Sequence, residues 1–256
     1  PADTVLYASI RTDAGYIETL DGVLNNLYAQ VSAALPPDMT GMLPPIENPI
    51  STALDDSFRG EFATTVRPWL GEQIAIGIGG DLTAEMPDIS IVVNITDRAA
   101  ARAFAESDII ASDSITVEEL DGYDILTDEM VSAFIAINDD VMVLTTAERM
   151  LPPNITDTLA ANGDFSKALD ALPAESYNIF GYVDGTSLLE LANAAVDTDQ
   201  FVDPATVALL ADLQGNLGVI ALGATILDGD TLTIDYAQQA TGDLLAGAST
   251  PVDPAF

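Results

Sequence analysis

Apolar and polar residues alternate most clearly near the C-terminus, in "LGVIALGATILDGDTLTIDYAQQ". The dipeptide Asp228-Gly229 tolerates the positive φ of a tight turn, so the pattern predicts an antiparallel hairpin of strands 217–227 and 231–239. In the second strand the alternation predicts one buried face and one wet face. We expect Leu232, Ile234 and Tyr236 on the buried face, and Thr231, Thr233 and Asp235 on the wet face.

The first half of the chain shows a second strand pair, "EQIAIGIGG" (72–80) and "ISIVVNI" (89–95). After it, Asp97 precedes the alanine-rich run "RAAARAFAES", which predicts a helix with an N-cap. Four short apolar runs follow and predict a strand meander over 114–145. A polar turn at 138–140 joins the last two of these strands.

Helical spacing of apolar residues predicts further helices at 16–34, 165–171, 187–195 and 204–213. The segment 35–49 is rich in proline and is predicted to be a loop. Residues 241–256 are predicted to be an extended tail.

Similar stretches begin at Pro1 and at Pro173: each continues from Pro-Ala into an apolar run, a polar turn and an apolar helical stretch. We interpret them as two copies of one β-α unit. The predicted fold class is α+β, with antiparallel sheets, helices packed on one face and an internal duplication. We expect a first subdomain at 1–171, a shorter second copy at 172–240 and the tail at 241–256.

Several segments resemble the bacterial domain-of-unknown-function family 3352. The most specific are Pro-Trp-Leu-Gly at 68–71 and "DFSKALDALPAE" at 164–175. The resemblance covers about residues 1–239 and implies an extracytoplasmic protein held behind an N-terminal signal or anchor. It implies no reaction and no catalytic residue.

Acidic residues dominate the charge. The chain has 41 Asp and Glu against seven Lys and Arg, which gives a formal net charge of −34. Such a surface repels phosphates, so nucleic acid is not an expected partner. High acidity suits a salty or extracellular setting, where charges are screened over short distances. No run is apolar enough for a membrane span, and a chain that starts at Pro1 reads as a segment whose signal or anchor has been removed.

Cysteine and histidine are both absent from the sequence. Thiol nucleophiles, disulfides, His-ligated metals and His-based triads are therefore excluded. We expect a protein that is not an enzyme. The alternative enzyme class is a glycoside hydrolase that uses a pair of carboxylates. Such enzymes normally present several aromatic platforms to the sugar, whereas this chain has one tryptophan, Trp69.

Calcium is the cofactor that the carboxylates suggest, because it takes oxygen ligands. Asp197, Asp199 and Asp203 share one loop and are the first candidate ligands; Asp55 and Asp56 are the second. None of them fits the EF-hand pattern. The competing interpretation of Asp203 is an N-cap, since Pro204 follows it.

Two further kinds of site are predicted. Asn94 and Asn154 each begin an Asn-x-Thr glycosylation pattern. Phe180 and Tyr182 share one face of a short predicted strand, where they line a ligand pocket or an interface, or else pack in the core.

The function that these patterns favour is binding or self-assembly outside the cytoplasm, as a scaffold or subunit of an extracellular structure. The expected partners are copies of the same chain or another surface protein. The alternative is an envelope carrier of an apolar ligand, which requires a cavity of at least about 300 Å³.

Overall fold

In the computed structural model, the described residues are 1–34, 47–57, 61–80, 87–110, 115–128, 133–174, 176–188, 218–227, 231–240 and 243–248. The predicted helix at 204–213 and most of the helix at 187–195 lie outside them. The turn at Asp228-Gly229 lies outside them as well.

The described residues form one antiparallel sheet of eleven strands. The strands are β1 (Thr4–Arg11), β2 (Leu70–Gly79), β3 (Asp88–Ile95), β4 (Thr116–Leu120), β5 (Tyr123–Asp128), β6 (Ala133–Ile137), β7 (Val141–Thr145), β8 (Ile179–Asp184), β9 (Val219–Leu227), β10 (Thr231–Ala240) and β11 (Asp243–Ala248). Their order across the sheet is β11-β10-β9-β8-β1-β2-β3-β7-β6-β5-β4.

Four α-helices are described over their whole length: α1 (Ala14–Ala34), α2 (Pro49–Ser57), α3 (Arg98–Phe104) and α4 (Gly163–Asp170). Residues 185–188 are helical as well. Two short π-helical segments, π1 (Phe62–Val66) and π2 (Ala105–Ile110), are also present. The segment π2 continues α3 without a break. The α+β class and the antiparallel pairing are thus confirmed.

Local signals place several of these elements. The Asp97 side chain accepts a hydrogen bond from Ala100 N at 3.0 Å, which is the predicted N-cap of α3. Asn138 Oδ1 accepts from Val141 N at 2.7 Å and closes the turn between β6 and β7. The predicted meander is present as β4 to β7, in consecutive order at one end of the sheet.

The helix α2 was not predicted, and its first residue is the last residue of the predicted loop 35–49. A buried carboxylate holds it against α1. Asp21, which is 3% exposed, accepts hydrogen bonds from Ile50 N at 2.7 Å and from the Ser51 backbone and side chain. Asp21 thereby satisfies backbone N–H groups at the start of α2 that have no partner within the helix.

Helices pack on both faces of the sheet, so the prediction of a single covered face was wrong. The reason is visible in β6, where Ile135, Ala136 and Ile137 are consecutive and fully buried. Because successive strand residues point to opposite faces, such a run needs cover on both sides.

We name the two faces after a residue packed on each. The Trp69 face carries the largest core cluster, which α3, π1 and π2 cover over β3, β5, β6 and β7. The Tyr182 face carries the cluster beneath α4, where Phe165 and Ala168 pack on β8 to β10.

The predicted hairpin is confirmed as β9 and β10, with Thr231 opposite Leu227. Its two faces, however, are the reverse of the prediction. Asp235 is 3% exposed, whereas Ile234 and Tyr236 are 41% and 45% exposed. The cause is Tyr177, whose hydroxyl donates to Asp235 Oδ2 at 2.9 Å and makes the burial of this carboxylate tolerable.

Strands from both predicted subdomains belong to this one sheet, because β1 pairs with β8 along Leu6 to Ile10. Residues 243–248, assigned from sequence to the extended tail, form the edge strand β11 and pair with β10. The duplication and the subdomain boundaries remain predictions.

Candidate functional site

A cavity of about 750 Å³ lies on the Trp69 face, between the sheet and the two π-helical segments. Its floor consists of apolar side chains from the end of π1 and from three adjacent strands: Val66, Trp69, Leu70, Ile74, Ile91, Val93, Met142 and Leu144. The register explains why they meet. Ile74 lies opposite Val93, and Ile91 lies opposite Leu144, so alternate residues of β2, β3 and β7 face the same space.

Trp69 lines the cavity and contacts two of the elements around it. It is 3% exposed, its ring lies 5.2 Å from that of Phe104, and its Nε1 donates to Thr65 O at 2.7 Å. The hydrogen bond links Trp69 to π1 and the ring contact links it to α3. Trp69 is also the only tryptophan in the sequence, so its fluorescence reports on this cavity alone.

Phe104 and π2 also line the cavity, and two ion pairs fasten α3, which carries them, to the sheet. Arg98 Nη2 lies 3.1 Å from Asp124 Oδ1, and Arg102 Nη1 lies 3.2 Å from Asp124 Oδ2. Asp124 belongs to β5 and its side chain is 16% exposed. Hydrogen bonding to Glu106 is the main cause that raises the pKa of Arg102, and the nearby charge of Asp124 raises it further.

The rim of the cavity is polar and acidic. Glu61 precedes π1, while Ser107 and Asp108 belong to π2, and all three are exposed. The Ser107 hydroxyl is occupied by Asp108 Oδ2 and Ala103 O, at 2.5 and 2.9 Å. Two carboxylates therefore flank an apolar interior. Part of the lining on both sides comes from π-helical turns, which are rare in proteins overall but often occur at functional sites.

This arrangement does not resemble the site of a glycoside hydrolase. Glu61 and Asp108 are both exposed, whereas the general acid of a glycoside hydrolase commonly lies in an apolar pocket. Trp69 is almost fully buried and packs against Phe104, so its ring does not offer a flat exposed platform for a sugar.

A second cavity, of about 620 Å³, lies on the Tyr182 face and has a more polar lining. Arg11, Glu72 and Asn94 contribute to it, together with Tyr7 and Phe180. Arg11 is already paired with Asp13, at 2.7 Å. No cluster of unpaired charges marks this cavity among its lining residues that the structure describes.

The two aromatic residues singled out from sequence lie in the core. Phe180 and Tyr182 are 7% and 1% exposed and pack around Phe165 of α4, with ring centroids 5.9 and 5.0 Å from it. Their burial favours the core interpretation over an interface. Phe180 also lines the second cavity.

The first candidate calcium ligands, Asp197, Asp199 and Asp203, lie outside the described residues. Asp55 and Asp56 are neighbours on α2, half-buried and exposed respectively. Within the described ranges, no group of three or more acidic side chains is arranged to hold a metal ion.

The two glycosylation candidates differ in accessibility. Asn94 lies within β3, is half-buried and pairs with Val141 of β7. Asn154 ends a short 3₁₀ turn and is exposed, and its Nδ2 donates to Glu148 O at 2.9 Å. Asn154 is the more accessible of the two, and glycosylation at both positions remains a prediction.

Comparison with known proteins gives no relative: no family model, curated protein or solved structure matches the chain. The resemblance to family 3352 therefore remains a prediction. Among the described residues, no helix is both long enough and apolar enough to cross a membrane.

Sequence reasoning missed the residues of the first cavity. Trp69 carried a usable signal, since it is the single tryptophan and lies where a turn enters a strand. Glu61 and Asp108 carried none, because they are two of 41 acidic residues and lie far apart in the sequence.

Proposed function

We propose that this protein binds an apolar small molecule in the cavity on the Trp69 face and acts as a carrier or sensor of that molecule. What supports the proposal is the cavity itself: about 750 Å³ with a floor of aliphatic and aromatic side chains. Ligand sites commonly measure about 300–1,000 Å³ and have mostly apolar linings. The carrier alternative of the sequence analysis thus has more geometric support than assembly.

Binding of a neutral apolar dye, N-phenyl-1-naphthylamine, tests the proposal. We expect saturable binding at one site per chain, with a change in Trp69 fluorescence. The variant Ile91→Phe places a larger side chain in the cavity and should weaken binding about tenfold or more. Leu222→Phe is the matched control, because Leu222 lies on the same sheet face but is 50% exposed and does not line the cavity.

Equal binding by the wild type and Ile91→Phe would contradict the proposal, as would a stoichiometry well above one. The folded state of Ile91→Phe is checked by its thermal melting and circular dichroism spectrum. Leu144→Phe, which fills the same space from β7, provides a second variant if Ile91→Phe does not fold.

Self-assembly is a second candidate, and the exposed apolar side chains on the Trp69 face of β8 to β10 favour it. Leu222 and Tyr236 are cross-strand partners and are 50% and 45% exposed. Ile179 and Ile234, 37% and 41% exposed, lie on the same face. Light scattering of Leu222→Glu against the wild type tests this: assembly through the face predicts a smaller particle for the variant.

We also propose an extracytoplasmic location, which the acidity and the resemblance to family 3352 support. Detection of the protein in the envelope or secreted fraction of its source cells is the direct test.

Internal duplication is a further part of the proposal. The strand order is the same outward from the β1/β8 pair on each side, β1-β2-β3 and β8-β9-β10. Asp13 and Asp184 occupy similar places: Asp13 follows β1, and Asp184 is the last residue of β8. Each accepts a hydrogen bond from the backbone N–H three residues later. Alignment of the two halves within a set of homologous sequences would test the common origin.

A further inference from the structure

The described residues at the rim of the cavity on the Trp69 face carry a single sign of charge. Glu61 and Asp108 lie at the opening, and none of the lining residues that the structure describes is Lys or Arg. Both carboxylate side chains are exposed, so they act on a ligand from outside the apolar floor.

Among the described residues, the basic side chains near these two carboxylates are already paired with other carboxylates. Arg102, on the helix that π2 continues, is engaged by Glu106 at 2.8 Å and by Asp124 at 3.2 Å. Arg67, just after π1, lies 3.8 Å from Glu18. The chain as a whole carries a formal charge of −34, which adds to the negative potential at the rim.

We propose that the cavity selects cationic amphiphiles, molecules with an apolar body and an amine or ammonium group, over anionic ones of the same size. This inference rests on the proposed function, because it assigns a ligand class to the same site. The apolar floor binds the body, and Glu61 and Asp108 attract the charged group at the opening. A carboxylate or phosphate group at the same place meets two like charges and is repelled.

Three probes that share one alkyl chain test the selection: decyltrimethylammonium, 1-decanol and decanoate. They are titrated into the full chain at pH 7.5 and about 150 mM NaCl, below their aggregation limits. Trp69 fluorescence and calorimetry report affinity and stoichiometry. We expect one site per chain, with decyltrimethylammonium bound about tenfold or more tightly than decanoate and 1-decanol between them.

The variant Glu61→Gln/Asp108→Asn removes the rim charges. It should reduce the preference for decyltrimethylammonium over decanoate to about threefold or less, while affinity for 1-decanol stays unchanged. The matched control, Asp157→Asn/Asp170→Asn, removes the same charge from exposed positions outside the cavity and should keep the preference. Tetramethylammonium, which lacks the chain, should not change Trp69 fluorescence.

The outcomes separate the two proposals. If none of the three decyl probes binds, or if Ile91→Phe binds them as the wild type does, the proposed function fails and the selection fails with it. Three outcomes overturn selection by the rim while apolar binding stands. They are equal binding of the three decyl probes, a loss of preference in the control variant as large as in the rim variant, and binding of tetramethylammonium as tight as that of decyltrimethylammonium.

Discussion

One side chain, Tyr177, joins three segments of the C-terminal half. Its ring lies against Gly223 of β9, its hydroxyl donates to Asp235 of β10, and the same hydroxyl accepts from Ala174 N at 3.0 Å. The Gly223 position has no room for a side chain beside the ring. This contact explains why a carboxylate is buried on the face that alternation assigned to solvent.

Replacement of Tyr177 by Phe leaves the buried Asp235 without its hydroxyl donor. We expect the free energy of unfolding to fall by about 1–3 kcal/mol, the cost of leaving a buried polar group unsatisfied. Urea unfolding followed by circular dichroism measures the change. Tyr236→Phe, at a 45% exposed neighbouring position, should stay within about 0.5 kcal/mol of the wild type. Equal losses in the two variants would show that the hydroxyl of Tyr177 has no special role.

Tyr182 gives the protein an alkaline limit. Burial raises its pKa to about 12, and the charges of Asp184 and Asp164 add to the rise. In the unfolded chain the pKa is about 10, so above pH 10 the unfolded state loses this proton first. The contribution of Tyr182 to the free energy of unfolding is therefore complete below pH 10. It is lost between pH 10 and pH 12, at about 1.4 kcal/mol per pH unit at most.

Thermal melting between pH 9 and pH 11.5 checks this expectation. In Tyr182→Phe the loss of stability over that range should be smaller than in the wild type. Some loss should remain, because burial also raises the pKa of Tyr16 and of Tyr177. Parallel curves for the wild type and Tyr182→Phe would assign the alkaline loss to other groups.

Among the elements, the β4/β5 hairpin has the turn whose geometry is clearest. Leu120 pairs with Tyr123, and the two residues between them, Asp121 and Gly122, have φ of 51° and 84°. Both values are positive, as in the type I′ turns that suit the twist of a hairpin.

Gly122→Ala should cost about 1–2 kcal/mol, because an L-residue with a side chain is strained at this φ. Gly163→Ala is the matched control: a Cβ at either position meets open space, but only Gly122 has a positive φ. Gly163 is the first residue of α4, where alanine should be neutral or stabilise by up to about 1 kcal/mol. Differential scanning calorimetry of the two variants makes the comparison, and equal melting temperatures would contradict it.

The predictable elements are those with local signals. The meander and the β2/β3 pair are predictable because turn residues interrupt their apolar runs, and α3 is predictable because Asp97 precedes it. The burial of Asp235 depends on Tyr177, which lies 58 positions away in the sequence, so alternation alone gave the wrong face. The cavity requires Trp69, Ile91 and Leu144 to meet across three strands, and a π-helical turn has no distinctive local pattern.

At the scale of the whole molecule, the few positive charges are used internally. Each of the six basic side chains in the described part lies within 4.0 Å of a carboxylate. Arg149, for example, joins Asp3 at the start of β1 to Asp88 at the start of β3. The surplus carboxylates repel one another, and dissolved cations must screen them.

Lower ionic strength should therefore destabilise the protein. We expect the melting temperature to fall when NaCl is reduced from about 0.5 M to about 10 mM, because the screening length grows from a few ångströms to about 30 Å. A melting temperature that does not change across this range would contradict the repulsion argument.

Calcium separates specific binding from screening. If Asp197, Asp199 and Asp203 form a site, millimolar CaCl₂ should raise the melting temperature more than NaCl of the same ionic strength does. The excess should disappear in Asp197→Asn/Asp199→Asn. An excess that persists in this variant contradicts the assignment, and Asp55→Asn/Asp56→Asn then tests the second candidate.

The position of β1 has a consequence for how the chain folds. This strand lies far ahead of β8 in the sequence, yet the two are neighbours in the interior of the sheet, as in the pair Tyr7 and Tyr182. Contacts between such distant parts of a sequence slow folding, because a long loop must close before they form. Until β8 arrives, one side of β1 is an open edge that can recruit another chain. Chains that end before position 179 are therefore expected to aggregate, and folding of the sheet is expected to end with the pairing of β1 and β8.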